Sequence, residues 1–435
     1  MFGNQGNTTI AKTTTHKVVL PFYVYASISF LAAALLLVQS SGNFSGTYFQ
    51  PNILAITHIM ALGWGTMIIM GASHQLVPVL IEGELHSNRL AYVTFYLAGI
   101  GIPFLVYGFY RFNMGAPALL GGGLVVVAVV MYTINLARSI INSKNRNIHA
   151  LFVFAATLWL LITTSVGFLL LCNFNTPCLP HNSVHYLSLH AHMGIAGWFL
   201  LTVIGVGARL IPMFLISKYE NNTLLKRIFY LVNVALISFI ICFFSTNKAV
   251  LLIPILLMVA AITLFVYYCR QAYADRMRKA VDEQMKISLL SVAMILIPLV
   301  LILVTIFVFI LSSYYSPQLI LAYGFFIFFG WITAIILGMT FKTLPFIVWN
   351  KTYHQLSGKG KTPNPKDLLS DSTFHWMSLC YIIGFVLFAA GIIMSQLLIL
   401  KIGAIALLVT AVLYNLNVFK VVLHKPVTDA SNRDK

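Results

Sequence analysis

Long apolar runs alternate along the chain with short segments that are polar or rich in glycine and proline. Each run is about as long as the roughly 20 residues that a helix needs to cross a bilayer. The runs also lack the alternating polarity of about ten-residue barrel strands. The sequence therefore predicts an all-α, polytopic membrane bundle of twelve transmembrane helices, at residues 19–39, 54–81, 90–110, 116–137, 149–171, 185–216, 225–244, 249–270, 287–311, 317–347, 376–395 and 398–420.

The composition excludes a soluble protein with a hydrated surface. Of the 435 residues, 60% are hydrophobic and only 9% are charged, and the mean hydropathy is +0.90. The net charge of +17 would suggest nucleic-acid binding in a soluble protein. In a polytopic protein a basic excess in the loops usually reflects topology. We therefore expect membrane lipid, and no nucleic acid, as a partner.

The basic residues predict the orientation of the chain. With the N-terminus in the cytoplasm, 22 lysines and arginines fall in inner segments, and the outer loops hold only Arg111, Lys248 and Lys401. Because positive charge is retained on the cytoplasmic side, both termini are expected there. The predicted organisation is a tail at 1–18, one membrane domain at 19–421 and a second tail at 422–435.

Two of the five cysteines lie together in one predicted outer loop, Cys172 and Cys178. In an oxidising compartment they could form a local disulfide, and two free thiols are the alternative. The other three, Cys242, Cys269 and Cys380, lie in or beside apolar runs, where a small buried side chain explains them.

A motif recurs in the second, sixth and tenth spans. In each, a glycine precedes a tryptophan, and a second glycine and a proline follow that tryptophan by seven and fourteen residues; the tryptophans are Trp64, Trp198 and Trp331. The copies are four spans apart and so share one orientation. This predicts three parallel four-helix repeats at about 19–137, 149–270 and 287–420, around an axis along the membrane normal. Tyr132, Tyr267 and Tyr414, near the ends of the fourth, eighth and twelfth spans, support the repeat weakly.

The shared residues of the motif have structural roles: glycine lets helices approach closely, and proline ends or kinks a span. The positions at which the copies differ are therefore the better guide to function. Six residues before the tryptophan, the first two copies carry His58 and His192, and the third carries Phe325. The sixth span adds His190.

Buried histidines are costly in a membrane and normally face a cavity, a partner or a cofactor. His58 and His192 lie at matching depths, about 10 Å below the outer boundary. Imidazole ligates heme iron and copper, so two facing helices could hold one porphyrin between them. His190 lies about 200° from His192 around the helix and would serve a separate site. Ordinary hydrogen bonds between helices are the alternative explanation.

A second polar group is predicted near the inner boundary. Gln75, Arg209 and Lys342 share one repeat position, eleven residues after the tryptophan, and His74 precedes the first of them. The two basic side chains could extend to the interface, or Arg209 could pair with an anion such as a heme propionate. His74 could form a second, inner metal site with His149 or His375.

The positions of the carboxylates argue against a proton relay within the membrane. All ten acidic residues fall outside the predicted spans or at their ends. Proton-coupled carriers and redox pumps usually keep a carboxylate within the membrane. No Walker loop, zinc-protease helix or nucleophile elbow is present in the sequence, and no catalytic residue is identified.

Twelve spans in three sets of four, with a histidine near the outer end of the second span, resemble subunit I of the heme-copper oxidase superfamily, which includes nitric oxide reductases. The stretches His58–Pro78 and His190–Pro212, which carry HxxxxGW, are similar to the subunit-I-like and NnrS-like membrane proteins of bacteria. The resemblance implies that His58 is a low-spin heme ligand. That superfamily's further histidines are missing from Tyr323–Trp349 in the tenth span and from Leu225–Phe244 in the seventh, so a complete binuclear centre is not expected.

The sequence and the resemblance together suggest a heme protein of the bacterial cytoplasmic membrane. Heme b would bind through His58 and either His192 or His190, with copper as a further possible metal, in redox or diatomic-gas chemistry of nitric oxide or oxygen. Turnover would require an electron-donor protein. The competing hypothesis is a non-enzymatic transporter or scaffold for a small solute, heme or a metal ion on the same fold.

Overall fold

A computed structural model describes residues 14–143, 145, 147–312, 316–354 and 362–426. Twelve helices in these ranges are long and apolar enough to cross a membrane, which confirms the prediction of an all-α protein with twelve spans. They are α1 His16–Gln39, α2 Pro51–Leu80, α3 Asn88–Tyr110, α4 Ala116–Ile141, α5 Ile148–Asn175, α6 Ser183–Leu215, α7 Asn222–Phe243, α8 Ala249–Ala274, α9 Glu283–Ser312, α10 Pro317–Tyr353, α11 Asp371–Met394 and α12 Leu397–Val422.

Several helix ends differ from the predicted ends because polar residues take part in the terminal turns. α11 begins five residues before its apolar run, and the Ser370 side chain caps it by accepting a hydrogen bond from Thr373 N. α10 continues to Tyr353, beyond Pro345. Most of the two predicted tails lies outside the described residues. Seven of the basic residues used for the orientation also lie outside them: Lys12, Lys144, Arg146, Lys359, Lys361, Arg433 and Lys435.

The loop after α5 is stabilised by the side-chain amide of Asn173 and not by a disulfide. Cys172 and Cys178 are both free thiols. The Asn173 side chain instead accepts hydrogen bonds from the backbone N–H groups of Cys178 and Leu179, both at 2.8 Å. One side chain thereby satisfies two donors that the turn leaves without a helical partner.

The helices form three similar sets of contacts. α1 packs on α2, α5 on α6 and α9 on α10, and the pairs α3–α4, α7–α8 and α11–α12 form hairpins. α4 also packs on α5, and α12 on α1. The most extensively buried helices are α2, α6 and α10, with 67%, 72% and 72% of their most apolar stretches inside the protein. These three helices therefore form the centre of the bundle.

Each central helix is π-helical around its Gly–Trp pair. The three segments are Ile59–Thr66, Met193–Leu200 and Phe326–Ile332. Segments of this kind are rare and occur often at functional sites. In a bilayer, an irregular backbone is tolerated where protein covers it. The tryptophans are buried, so the change of helical pitch lies in the middle of the bundle.

Two of the three indoles join neighbouring central helices. Trp64 Nε1 donates to Thr333 Oγ1 at 3.2 Å, which links α2 to α10. Trp198 Nε1 donates to Thr66 Oγ1 at 2.9 Å, which links α6 to α2. Both acceptor threonines lie two residues after the tryptophan of their own helix. The indoles therefore act mainly as links between helices and not as interfacial anchors.

The second glycine of each motif allows the preceding outer helix to approach. A Cβ added at Gly71 would lie 2.6 Å from Phe22 Cβ in α1. Gly205 faces Phe152 in α5, and Gly338 faces Ser288 in α9. Because these neighbours include the backbone or the first side-chain atom, a larger residue could not be accommodated by rotating a flexible side chain.

One tyrosine of the predicted repeat was assigned to the wrong position. Tyr132, Tyr268 and Tyr414 are buried, whereas Tyr267 is 47% exposed on the outside of α8. Tyr268 Oη donates to Ala208 O, and Tyr414 Oη donates to Thr340 Oγ1, both at 3.0 Å. A shift of one residue turns a side chain by about 100° around a helix, which separates the two faces.

The contact at Gly338 predicts a clear effect on stability. In Gly338→Ala, the new Cβ would overlap Ser288 Oγ and lie 2.6 Å from Gln284 O, so we expect a loss of about 1–3 kcal/mol from overpacking. Gly324→Ala is the matched control in the same helix, since nothing lies within 4 Å of its added Cβ. Thermal unfolding in detergent measures both variants. Equal unfolding temperatures would contradict the close packing of α9 on α10.

Candidate functional site

His58 is the last residue of α2 before the π-helical segment. Its Nδ1–H donates to Leu54 O, one turn earlier, at 2.8 Å. The ring packs against Phe109 of α3, with the ring centroids 4.4 Å apart. This hydrogen bond to the carbonyl group fixes the orientation of the imidazole. It leaves Nε2 as the nitrogen that can accept a hydrogen bond or bind a metal ion.

His190 is held in a similar way by the neighbouring helix. Its Nδ1–H donates to Thr163 O of α5 at 3.0 Å. The ring lies against Gly167, where an added Cβ would be 2.7 Å from His190 Cε1. The absence of a side chain at Gly167 therefore provides the space in which this imidazole lies.

The two imidazoles form a pair across the interface of α2 and α6. Their ring centroids are 6.4 Å apart, and their planes differ by only 14°. Among the described residues, no hydrogen bond occupies Nε2 of either ring. The structure thus brings His58 together with His190, one of the two partners that the sequence left open.

The nitrogen atoms of this pair can be compared with the ligands of a metal ion held by two imidazoles. Each imidazole would bind such an ion through its free nitrogen, with a bond of about 2 Å. The two rings are neighbours, with centroids 6.4 Å apart, and neither Nε2 has a hydrogen bond among the described residues. The donor set, with both Nδ1 atoms bound to carbonyls, also has the arrangement usual for histidine ligands. His58 and His190 are therefore the residues that would hold a heme iron through imidazole nitrogen.

His192 lies in a different interface. Its Nδ1–H donates to Ser188 O at 2.7 Å, and its ring contacts Phe239 of α7 and Tyr323 of α10, with centroids 5.3 and 5.7 Å away. Its Nε2 is buried without a hydrogen-bond partner among the described residues. His192 therefore does not face His58, although the two occupy the same repeat position.

The contacts of His58 and His192 share one spacing. In both, the residue six before the tryptophan of one central helix faces the residue eight before the tryptophan of the next. His58 faces His190 in this way, and His192 faces Tyr323 with planes 29° apart. The signal was present in the sequence, since Tyr323 and His190 both stand eight residues before their tryptophans.

At the third equivalent position, hydrocarbon packing replaces histidine. Phe325 of α10 stacks on Phe329, Phe385 and Phe388, with centroids 5.2, 5.6 and 4.7 Å away. Phe388 also packs edge to face against Phe44. Phe329 lies in α10, and Phe385 and Phe388 lie in α11, so Phe325 packs against aromatic rings of its own helix and of an outer helix.

The histidines predicted near the inner boundary are engaged separately. His74 packs between Phe22 and Tyr132, and its Nε2 is buried without a partner among the described residues. His149 Nδ1 donates to Gly205 O at 2.8 Å, and His375 Nδ1 lies 3.6 Å from Glu283 Oε2. In the described part of the chain, no group of three or more His, Cys, Asp or Glu side chains could hold a metal ion. The structure therefore offers no shared inner metal site to these residues.

Gln75, Arg209 and Lys342 converge on one cavity. It has a volume of about 1610 Å³ and lies at the ends of α2, α6 and α10 on the side of the chain termini. Lys342 binds Asp282, at the start of α9. The two cations therefore line a space inside the bundle and do not extend towards lipid.

Half of the acidic residues line the same cavity, which the sequence did not predict. These five lie in loops or at helix ends that are far apart in sequence: Glu82, Glu220, Asp282, Glu283 and Asp371. The carboxylates thus gather on the terminal side of the bundle, while the His58–His190 pair lies on the opposite side of the tryptophans. This separation is consistent with the absence of carboxylates from the middle of the predicted spans.

No protein-family model and no curated protein matches this chain. Its function therefore has to be inferred from its own geometry.

The fit of His190 against Gly167 can be tested directly. In Gly167→Ala, the new methyl group would displace the ring and break its bond to Thr163 O, at a cost of about 1 kcal/mol. Gly123→Ala in α4 is the control, because its added Cβ would make only an ordinary contact with Phe168 at 3.7 Å. Cryo-electron microscopy of both variants locates the imidazole, and thermal unfolding measures the cost. An unmoved ring in Gly167→Ala would contradict the described packing.

Proposed function

We propose that this protein is an integral membrane heme-binding protein in which His58 and His190 would hold the heme iron. The observation that carries the proposal is the pair of nearly parallel imidazoles, 6.4 Å apart, at the interface of α2 and α6. The sequence left the second ligand open between His192 and His190. The contacts of His192 with Phe239 and Tyr323 favour His190.

The surroundings of the pair suit a ligand role. The carbonyl groups of Leu54 and Thr163 hold both rings in the tautomer that presents Nε2. Hydrogen bonds of this kind orient a metal-ligating histidine and increase its basicity. Phe109 covers one side of His58 and helps to exclude water.

Two histidine ligands favour electron transfer over gas binding at this position. A b-type heme, when bound, would supply one-electron redox chemistry. His58 and His190 would both hold the iron, and two protein ligands favour electron transfer over the binding of nitric oxide or oxygen. An electron-donor protein would then be needed as a partner. A single copper ion, which also accepts imidazole ligands, is the alternative metal for the same two nitrogens.

We also propose that the chain consists of three four-helix repeats related to subunit I of the heme-copper oxidase superfamily. This proposal is supported by the π-helical segment beside each motif tryptophan and by the matching contacts of Gly71, Gly205 and Gly338. The lack of histidines in α7 and α10 argues against a binuclear centre. The excess of basic residues on the side of the termini supports a cytoplasmic position for both, and the resemblance favours a bacterial inner membrane.

The ligand assignment predicts a specific pattern among histidine variants. The purified wild-type protein should show a reduced-minus-oxidised visible spectrum of b-type heme. His58→Ala and His190→Ala should each lose or shift that band, because one axial nitrogen is removed. His192→Ala is the matched control at the repeat position of His58, and it should retain the wild-type spectrum.

Two outcomes would contradict parts of this proposal. If His192→Ala lost the band while His190→Ala kept it, the second ligand would be His192, and the assignment to His190 would be wrong. If the wild-type protein from heme-replete cells were colourless, the protein would not be a heme protein.

A second candidate function, a transporter or scaffold for a small solute, is favoured by the 1610 Å³ cavity at the ends of the three central helices. The buried tryptophans and their bonds to Thr66 and Thr333 lie beyond this cavity and close the centre in the described conformation. Transport would therefore require the central helices to separate. Colourless wild-type protein would leave this candidate as the better supported one.

A further inference from the structure

The cavity on the terminal side contains an arginine that has no hydrogen-bond or ion-pair partner among the described residues. Arg209 lines the cavity and is exposed to it, one turn before Pro212 in α6. Its guanidinium makes no ion pair or hydrogen bond with any described residue. A cation that lines a cavity without a partner in the protein can bind an anionic ligand, and the planar guanidinium of arginine suits phosphate and carboxylate groups.

Several neighbouring charges already take part in ion pairs or hydrogen bonds within the protein, whereas Lys226 and Lys366 line the cavity without one among the described residues. Lys342, at the same repeat position in α10, binds Asp282. Arg278 lies 3.5 Å from the same carboxylate. Glu220 accepts a hydrogen bond from Asn222 Nδ2 at 2.8 Å, and Glu283 lies 3.2 Å from Lys286 Nζ. These interactions leave the five N–H donors of Arg209 available to a ligand.

A second group in the cavity also lacks a partner. Gln75, the residue of α2 at the repeat position of Arg209, lines the cavity, and its Oε1 is buried without a hydrogen bond among the described residues. A buried acceptor without a donor is unfavourable, and a donor on a ligand would satisfy it. His149 also lines the cavity and lies within electrostatic reach of Arg209.

We propose that this cavity binds a phosphate or carboxylate group that carries a neighbouring hydroxyl. The planar guanidinium of Arg209 would bind the anion in a bidentate manner, as arginine commonly does with these groups. The hydroxyl would donate to Gln75 Oε1. The ligand could be a small organic anion from solution or the head group of an anionic glycerophospholipid, since both present the same chemistry. A cavity of 1610 Å³ has room for either.

The unpaired carboxylates of the cavity restrict the ligand class. Glu82 and Asp371 line it without an ion pair among the described residues. They would repel a polyanion, so a compact anion with one or two charges fits better than an extended one. The proposed site shares no residue with the His58–His190 pair and does not depend on heme binding.

The experiment uses the full-length protein in nanodiscs of phosphatidylcholine, with calorimetry and thermal unfolding as readouts. Glycerol 3-phosphate is the main probe, and inorganic phosphate and glycerol separate the contributions of anion and hydroxyl. The variants are Arg209→Gln, Gln75→Leu and, as a control outside the cavity lining, Arg270→Gln. A parallel set of nanodiscs contains phosphatidylglycerol and no soluble anion.

The wild-type protein and Arg270→Gln should bind glycerol 3-phosphate saturably, and Arg209→Gln should bind it about tenfold or more weakly, as expected for the loss of a charge-assisted bidentate contact. Gln75→Leu should weaken binding of glycerol 3-phosphate but leave binding of inorganic phosphate unchanged. If the head group is the natural ligand, phosphatidylglycerol should raise the unfolding temperature of the wild type but not of Arg209→Gln.

The absence of both effects in the wild type would overturn the proposal. So would binding of equal strength in Arg209→Gln, or equal stabilisation of that variant by phosphatidylglycerol. The unfolding temperature without ligand checks that Arg209→Gln is folded. It should not fall, because the substitution removes a charge that has no partner in the protein.

Discussion

The central constraint on this structure is that three irregular helices have to satisfy their backbone groups inside a bilayer. α2, α6 and α10 each contain a π-helical segment beside a Gly–Trp pair, and water cannot compensate such a segment within lipid. The chain therefore places the three segments against one another at the centre. Trp64 and Trp198 donate to threonines of neighbouring central helices, and close contacts at small residues bring the outer helices in. The surrounding helices cover this core and complete the bundle.

Because the centre of the bundle is closed, its polar side chains lie towards the two ends of the central helices. On one side of the tryptophans, side chains of neighbouring central helices meet in two pairs, His58 with His190 and His192 with Tyr323. At the corresponding position of α10, Phe325 packs against aromatic rings of α10 and α11. On the other side, the same helices end in a cavity with charges of both signs. One backbone arrangement thus supports two chemically distinct regions that share no residue.

The sequence was sufficient to predict the features that depend on local composition. The twelve spans follow from the length of the apolar runs, and the importance of Trp64, Trp198 and Trp331 follows from their spacing. The sequence left the partner of His58 open between His192 and His190, because helical periodicity gives the angle of a side chain but not the helix it will face. The confusion of Tyr267 with Tyr268 has the same origin, since one residue changes the face. The cavity around Arg209 was hidden because its lining comes from helices and loops spread over most of the chain.

The proposal that His58 and His190 hold a heme iron between them is tested most directly by electron paramagnetic resonance of the oxidised wild-type protein. Two imidazole ligands give low-spin ferric iron, and planes only 14° apart should give a rhombic signal. That result would support two nitrogen ligands in nearly parallel orientation. A high-spin signal would show that one axial position is open, and a protein with no iron signal would contradict the heme assignment altogether.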